Sequence, residues 1–377
     1  MTGSKLRRPK LPSHYLLRFE PPDRSGDEAL VITSERRRIK LKGHSFREFL
    51  YEVVPLLDGT RTTEEIQHLV SDTFAPADLT AALELLAAEG LLEDQGREVP
   101  PAPPELEHQL NFFHEAGLDP ELAQERLRTA VVSVIGMGPL GAATAMALAA
   151  AGVGNLRCAD PDAVLASDPL LNPLFQQTDT GKPRAEAICR KAAALAPAVN
   201  AIPHTEPIET DDDLVRIVAG SDFAIGCIDQ GMSNVMYRLN RACLQAGVRW
   251  TSGSVSAFEG IVGPTVKPFE TACYLCYRMR AAACTENPEE EFAHLRFLDR
   301  RKRDDSGRRE NLVFGVGIVG NLLALEAFRA LLGVPAAASG RVIVFDFMES
   351  TSKKHVVLRK PWCPACFATK AKAEAAP

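Results

Sequence analysis

The chain has 377 residues, enough for two domains, with 46% hydrophobic and 24% charged residues, an ordinary balance for a folded protein. Its formal net charge of −6 disfavours a general nucleic-acid binder, and no apolar run approaches the roughly 20 residues that span a bilayer. The opening stretch MTGSKLRRPKLPSHY lacks the apolar core of a secretion signal, so the cytoplasm is the expected compartment.

Residues 14–95 read as a small separate domain. His14–Glu20, Glu28–Ser34 and Arg36–Lys42 have the composition of three short strands, and Phe46–Leu57 is an apolar-rich helical stretch. Thr62 and Glu65 form a capping box for a helix with Ile66, Leu69, Val70 and Phe74 on one face. A third helix carries Leu79, Ala82, Leu83 and Leu86 on one face, and Gly90 stops it. Three strands followed by three helices predict a winged-helix α+β domain. DNA binding is disfavoured, because residues 1–95 hold 13 Lys/Arg against 16 Asp/Glu and the stretch Ala77–Glu89 has no cation for a phosphate. In the third strand, Arg36, Arg38, Lys40 and Lys42 alternate with Arg37, Ile39 and Leu41, which makes one face basic. Two readings of that strand stay open: a charged, solvated edge, or an edge that takes an extended acidic peptide by strand addition.

The proline-rich run VPPAPPELE marks a linker, placed at 98–120 between domains at 1–97 and 121–377, and Leu118–Thr129 reads as a helix at its end. The stretch Val131–Asp162 organises the remainder of the chain. A β-rich run, Val131–Ile135, ends in Gly136, Gly138 and Gly141, which fit G-x-G-x-x-G, and an alanine-rich helix comes next. The glycines permit a tight turn, close approach of backbone to phosphate, and close helix–strand packing. Asp160 ends the next short strand, 19 residues past Gly141, where a carboxylate would meet ribose hydroxyls. The motif alone does not separate ATP from NAD. Helix and strand patterns then alternate: Lys182–Leu195, Ala201–His204, Asp212–Ala219, Asp222–Ile228, Met232–Ala246 and Arg249–Ser252. This predicts a doubly wound α/β sheet with its ligand at the strands' carboxyl ends, where Asp229 also falls. Thr285–Glu310 is a highly charged crossover, Val313–Leu332 an apolar helix whose Gly315, Gly317 and Gly320 imply close packing, and Val342–Phe347 and His355–Leu358 closing strands.

Nine cysteines, an odd number in core-like segments, suit reduced thiols better than disulfides. Cys273 and Cys276, with Cys363 and Cys366, form two C-x-x-C pairs. Each pair can set two thiolates on one turn, so together they predict a closed, structural S₄ site for Zn²⁺; a redox pair is the weaker alternative.

Taken together, IGMGPLG, ADPDAV, GKPRAEA, CIDQ, CYLC and CPAC resemble the ThiF/MoeB family, relatives of ubiquitin-activating enzymes, from about Asn111 to Cys366. The resemblance implies a Rossmann-like domain, ATP and Mg²⁺, activation of a peptide carboxylate as an acyl-adenylate, and a homodimer. By position, Gly136, Gly138 and Gly141 would face the phosphates and Asp160 the ribose. Arg184 would replace a phosphate-binding lysine, with Lys182 as a nearby cation, and Asp229 would hold Mg²⁺. Similarly, LDGTRTTEEIQHLVSDTF with ALELLAAEGLLED resembles the PqqD-like recognition element, which implies that a leader peptide adds along Arg36, Arg38, Ile39, Lys40 and Lys42. The combined architecture is similar to that of microcin C adenylyltransferases and of the partner proteins of YcaO cyclodehydratases.

The sequence departs from the family pattern S-N-x-x-R-Q, since Ser167-Asp168-Pro169-Leu170-Leu171-Asn172 puts Leu171 at the arginine. Leu110 stands at the family's second arginine, and leucine cannot stabilise charge on a triphosphate. Cys284 is a candidate acyl acceptor by position only, so no catalytic residue is assigned. On the sequence, the first reading is a protein that binds a precursor's leader peptide and presents the core to a YcaO enzyme making azoline heterocycles. The alternative is an active adenylating enzyme acting on a ribosomal peptide. A nicotinamide-dependent oxidoreductase fits the glycines but not the zinc pairs or Asp229.

Overall fold

A computed structural model describes residues 6–22, 24, 26–96, 102–227, 233–256, 258–290, 293, 297 and 312–367. The chain divides into two compact units, Met1–Glu125 and Arg126–Pro377.

In the first unit a short strand, β1 (Pro9–Lys10), precedes the three expected ones. These are β2 (Leu16–Glu20), β3 (Glu28–Thr33) and β4 (Arg38–Gly43), an antiparallel sheet in the order β2-β3-β4. Arg36 and Arg37 belong to the hairpin that closes with Ser34 N–H donating to the Arg37 carbonyl at 2.9 Å, so the basic strand starts two residues later than its composition suggests. A helical run covers residues 46–56. The Thr63–Leu69 helix has its capping box: Thr62 Oγ1 accepts from Glu65 N–H at 3.2 Å, and Glu65 Oε2 accepts from Thr62 N–H at 2.7 Å. The Pro76–Ala88 helix ends before Gly90, whose φ of 65° is one that a side chain resists. Ile66, Val70, Leu79, Leu83 and Leu86 pack with Leu30, Ile32 and Val53, whereas Leu69, expected inside, is exposed. The chain then forms β5 (Glu93–Asp94), which pairs with β1. Glu107–Glu115, within the stretch read as linker, is a helix anchored by buried Leu110 and Phe113, and Pro120–Thr129 follows as a helix.

The second unit is built on an eight-stranded sheet in the order β13-β12-β11-β10-β9-β6-β7-β8. Its parallel part comprises β6 (Val131–Ile135), β7 (Asn155–Ala159), β8 (Asn200–His204), β9 (Phe223–Gly226) and β10 (Trp250–Ser256). Right-handed crossovers need intervening helices, and Pro139–Ala150, Arg184–Leu195, Asp211–Val218 and Ser233–Ala246 supply them. An antiparallel extension, β11 (Glu259–Val262), β12 (Arg341–Asp346) and β13 (Thr351–Val356), completes the sheet.

The Val313–Leu331 helix is long and apolar enough to cross a membrane by length alone, but half of it is buried in this unit. Its buried Glu326 accepts from Thr265 Oγ1 at 2.7 Å and from the N–H groups of Ala337 and Ala338, so the carboxyl group has its partners inside the fold. Gly320 lets this helix meet the Pro139–Ala150 helix, since a Cβ there would lie 2.7 Å from that of Ala143. Gly315 is pressed against Phe347, but Gly317 faces open space and has no packing reason. Most of the Thr285–Glu310 crossover lies outside the described residues.

Candidate functional site

The glycine turn sits at the carboxyl ends of β6 and β7. Gly136 adopts φ 92°, and Gly138 caps the Pro139–Ala150 helix with extended backbone. A Cβ on Gly141 would fall 1.7 Å from the Gly136 carbonyl oxygen, so that position admits no side chain. The helix therefore starts with the turn folded tightly over its first N–H groups, an arrangement suited to an anion. Asp160 directly follows β7 and reaches back to the turn. Its Oδ2 accepts from Met137 N–H at 2.7 Å and its Oδ1 from Asp162 N–H at 2.8 Å. Burial pushes its carboxyl up to about 6, against the opposing pull of Arg184. The carboxylate thus shapes the turn before any ribose reaches it.

Arg184 begins the Arg184–Leu195 helix. It is 4% exposed and forms a two-pronged pair with the wholly buried Asp168: Nε to Oδ2 at 2.8 Å and Nη2 to Oδ1 at 3.0 Å. Its Nη1 lies 4.0 Å from both Asp160 Oδ2 and Asp162 Oδ2. One guanidinium thus serves three carboxylates at the position where the family resemblance implies a phosphate-binding lysine. The signal was present in the sequence as two departures that match each other, Asp168 at an asparagine position and Arg184 at a lysine position. Asn172, four residues on, is also buried; its Nδ2 donates to the Pro139 carbonyl at 2.7 Å and ties this loop to the first turn of the glycine helix. Leu171 is half-buried there and brings no charge. Lys182 is about half exposed, with Nζ 3.9 Å from Asp179. Asp229 lies outside the described residues.

The four cysteines converge. Cys273 Sγ lies 3.8 Å from Cys276 Sγ and 3.7 Å from Cys363 Sγ, and Cys276 Sγ lies 3.7 Å from Cys366 Sγ. All four are buried and lie within 4.8 Å of one another. A tetrahedral zinc with Zn–S bonds of about 2.3 Å spaces its sulfurs by about 3.8 Å, so the donor set fits this ion. Lys360 N–H points at Cys276 Sγ at 3.3 Å, and Arg359 Nη1 donates to the Phe269 carbonyl at 2.7 Å, which fixes the loop leading to Cys363. Cys284 is an exposed free thiol at the end of the Tyr274–Ala283 helix, away from this quartet in sequence and burial.

In the first unit, β4 pairs only with β3 among the described residues, which leaves its other edge open among them. Arg38, Lys40 and Lys42 are exposed, and Ile39 and Leu41 are half-buried against the core. Lys40 Nζ is 2.5 Å from Glu20 Oε2. Arg37 donates to the Glu89 carbonyl at 2.6 Å, which holds the hairpin to the end of the Pro76–Ala88 helix.

Comparison with protein families matches residues 106–365 to the ThiF family. Molybdopterin-synthase adenylyltransferase from Salmonella typhimurium is 29% identical over 247 residues, covering 64% of this chain and 89% of that protein. Escherichia coli MccB, solved with AMPCPP and MccA, superposes with a TM-score of 0.68 at 15% identity, covering 95% of this chain and 99% of that one. The structure of the microcin C7 biosynthetic enzyme MccB with N-formylated MccA gives 0.68 at 16% identity, with the same coverage.

Proposed function

The chain belongs to the ThiF family, and on that premise we propose that it is an ATP-dependent adenylating enzyme acting on a ribosomally made peptide. The observation that carries this reading is the glycine turn with Asp160 locked onto Met137 N–H, a nucleotide-type strand end already shaped in the protein. The similarity to MccB, which has been seen with a nucleotide analogue and MccA together, supports a peptide as the second substrate. In the reaction, a peptide carboxylate oxygen attacks the α-phosphorus of ATP. The bond from that phosphorus to the bridging oxygen breaks, and pyrophosphate leaves with the electron pair, giving an acyl-adenylate. The first N–H groups of the Pro139–Ala150 helix meet the phosphates, and Asp160 takes a ribose hydroxyl. Mg²⁺ would offset triphosphate charge, with Asp229 as its holder.

In the same unit, Cys273, Cys276, Cys363 and Cys366 hold a structural zinc; in the first unit, the edge of β4 takes the peptide's leader segment as an added strand. The PqqD-like assignment rests on the resemblance of LDGTRTTEEIQHLVSDTF and ALELLAAEGLLED, and the basic face of β4 supports it. A homodimer is the assembly implied by the family resemblance.

The presenter of a leader peptide to a YcaO cyclodehydratase, first on sequence alone, becomes the second reading. It keeps one specific support: Leu110 and Leu171 bring no charge to the triphosphate, and Arg184 is neutralised by Asp168. The deciding experiment is pyrophosphate release from ATP with precursor peptide and no partner. Peptide-dependent release upholds the enzyme. ATP binding without release, with heterocycles forming only once a YcaO enzyme is added, replaces it with the presenter.

A further inference from the structure

A triphosphate brings about four negative charges, and a helix N-terminus offers only about half a positive one. Mg²⁺ would offset about two of those charges, which leaves a place for a cation of the protein facing the phosphates if the adenylating reading holds. At the carboxyl end of β7 there are two described candidates. Arg184 is one, but it is buried under Asp168, with Asp160 and Asp162 each 4.0 Å away, so three carboxylates share one positive charge. Such a group adds net negative potential and has no face left to offer.

Lys182 is the other. Arg184 N–H donates to the Asp162 carbonyl, Val164 N–H to the Lys182 carbonyl, and Gly181 N–H to the Val164 carbonyl. Pro183 faces Ala163 in an antiparallel bridge. These contacts bind residues 181–184 alongside the loop that leaves Asp160. That loop continues to Asn172, which is fastened to the first turn of the glycine helix through the Pro139 carbonyl. Lys182 is thus held against the loop that leaves the strand end, while its ammonium stays half exposed. Its contact with Asp179 is loose at 3.9 Å, and Asp179 is already satisfied by Lys191 at 2.6 Å and by Gln176 N–H at 2.9 Å.

We propose a division of labour that rests on the adenylating reading: Arg184 is a positioning residue that holds Asp160 and Asp162 for the ribose side. Lys182 is the cation that meets the β- and γ-phosphates. A compact ammonium on a flexible stem suits this, because it can follow the phosphates as pyrophosphate leaves.

The test is calorimetric titration of the full chain with ATP, AMP and adenosine, paired with thermal melts. Lys182→Met should weaken ATP binding by roughly tenfold or more and change adenosine binding less than about twofold. Its melting temperature should match that of the unaltered chain, and Lys182→Arg should restore ATP affinity. Arg184→Lys should weaken adenosine and ATP alike and lower the melting temperature. Because that variant risks misfolding, the double change Asp168→Asn with Arg184→Gln removes both charges and keeps polar partners; it should retain most of the ATP selectivity over adenosine. If Lys182→Met binds ATP normally, or loses adenosine equally, the assignment of Lys182 is overturned. If the folded double variant alone loses the phosphate preference, Arg184 contacts phosphate and the division is reversed. Absence of any nucleotide binding by the unaltered chain would overturn the adenylating reading itself, a result distinguishable from either of these.

Discussion

The cysteine quartet and the Arg184 cluster are both buried gatherings of groups that can carry negative charge, and their sources of a compensating cation differ: the chain itself around Arg184, and a metal ion in the proposed zinc site. Around Arg184 the chain supplies its own: one guanidinium 4% exposed against Asp168, Asp160 and Asp162. In the quartet, four sulfurs lie within 4.8 Å of one another, a set that could hold a metal ion, which would then be the cation that compensates four thiolates. The difference teaches where each site is vulnerable. The first depends only on sequence and pH; the second depends also on what the solution contains.

The largest effect should come from removing the outside cation. Metal analysis of the purified chain should give about one zinc per chain, and Cys363→Ser or prolonged chelation should cost about 5 kcal/mol or more, because the ion joins segments 90 residues apart. Full thermal stability in a metal-free protein would end the comparison, since the quartet would then stand without a cation.

Removing the internal cation comes next. Arg184→Met leaves Asp168 charged and buried, and should cost about 3 to 5 kcal/mol in urea unfolding. Asp168→Leu combined with Arg184→Met should recover much of that loss, since the penalty lies in the unpaired charge. A double variant no more stable than the single one would show that the packing of these side chains, and not charge balance, sets the cost.

The third effect concerns pH. The Asp160 carboxyl is raised from 3.8 to about 6 in the folded protein, with burial the leading cause. A raised acid binds its proton more tightly when folded, so its contribution favours the fold below about pH 4 and is lost as pH rises through about 6. The stability of the chain relative to Asp160→Asn should therefore rise by about 2 to 3 kcal/mol as pH falls from 7 to 4. A difference that stays flat across that window would mean that Asp160 titrates normally. Nucleotide affinity should fall over the same range, because a protonated Asp160 is a weaker acceptor for Met137 N–H and for ribose.

How far these features were legible depends on whether their cause is local. Gly136, Gly138, Gly141 and the capping box of Thr62 and Glu65 act within a few residues, and their spacing announces them. The cysteine pairs announce themselves too, because each C-x-x-C pair is a local unit and only the pairing of units is long-range. The Asp168–Arg184 bond is different: its partners stand 16 residues apart, each at the first position of a separate helix, and no period links them. The antiparallel extension through β11 escaped for a related reason. Only four residues long, it is a strand by virtue of its neighbours β10 and β12. Leu69 followed the helical period of its neighbours yet is exposed, since a period names a face and not how far the core extends around it.

The smallest effect is also the one the register defines most sharply, at the open edge of β4. The hairpin closes with a bond from Ser34 N–H to the Arg37 carbonyl, so that pair is hydrogen-bonded. In an antiparallel ladder, bonded and non-bonded pairs alternate. Thr33 opposite Arg38 is then non-bonded, Ile32 opposite Ile39 bonded, and Val31 opposite Lys40 non-bonded. The backbone groups of Arg38, Lys40 and Lys42 therefore face away from β3, toward the free edge, on the residues that also carry the exposed charges. Backbone and side-chain contributions can be separated here. Lys40→Pro removes an outward donor and spares the β3 ladder, so the fold should survive while leader binding falls by about 1 to 1.5 kcal/mol, roughly tenfold. Ile39→Pro deletes a donor to β3 and should unfold the strand. Changing Arg38, Lys40 and Lys42 to Glu should slow association with an acidic leader at low salt and matter less at high salt, as screening removes steering by exposed charges. Fluorescence polarisation of a labelled leader on the full chain, with circular dichroism to verify folding, reads all three. If folded Lys40→Pro binds the leader as tightly as the unaltered chain, strand addition at β4 is wrong and the peptide docks elsewhere.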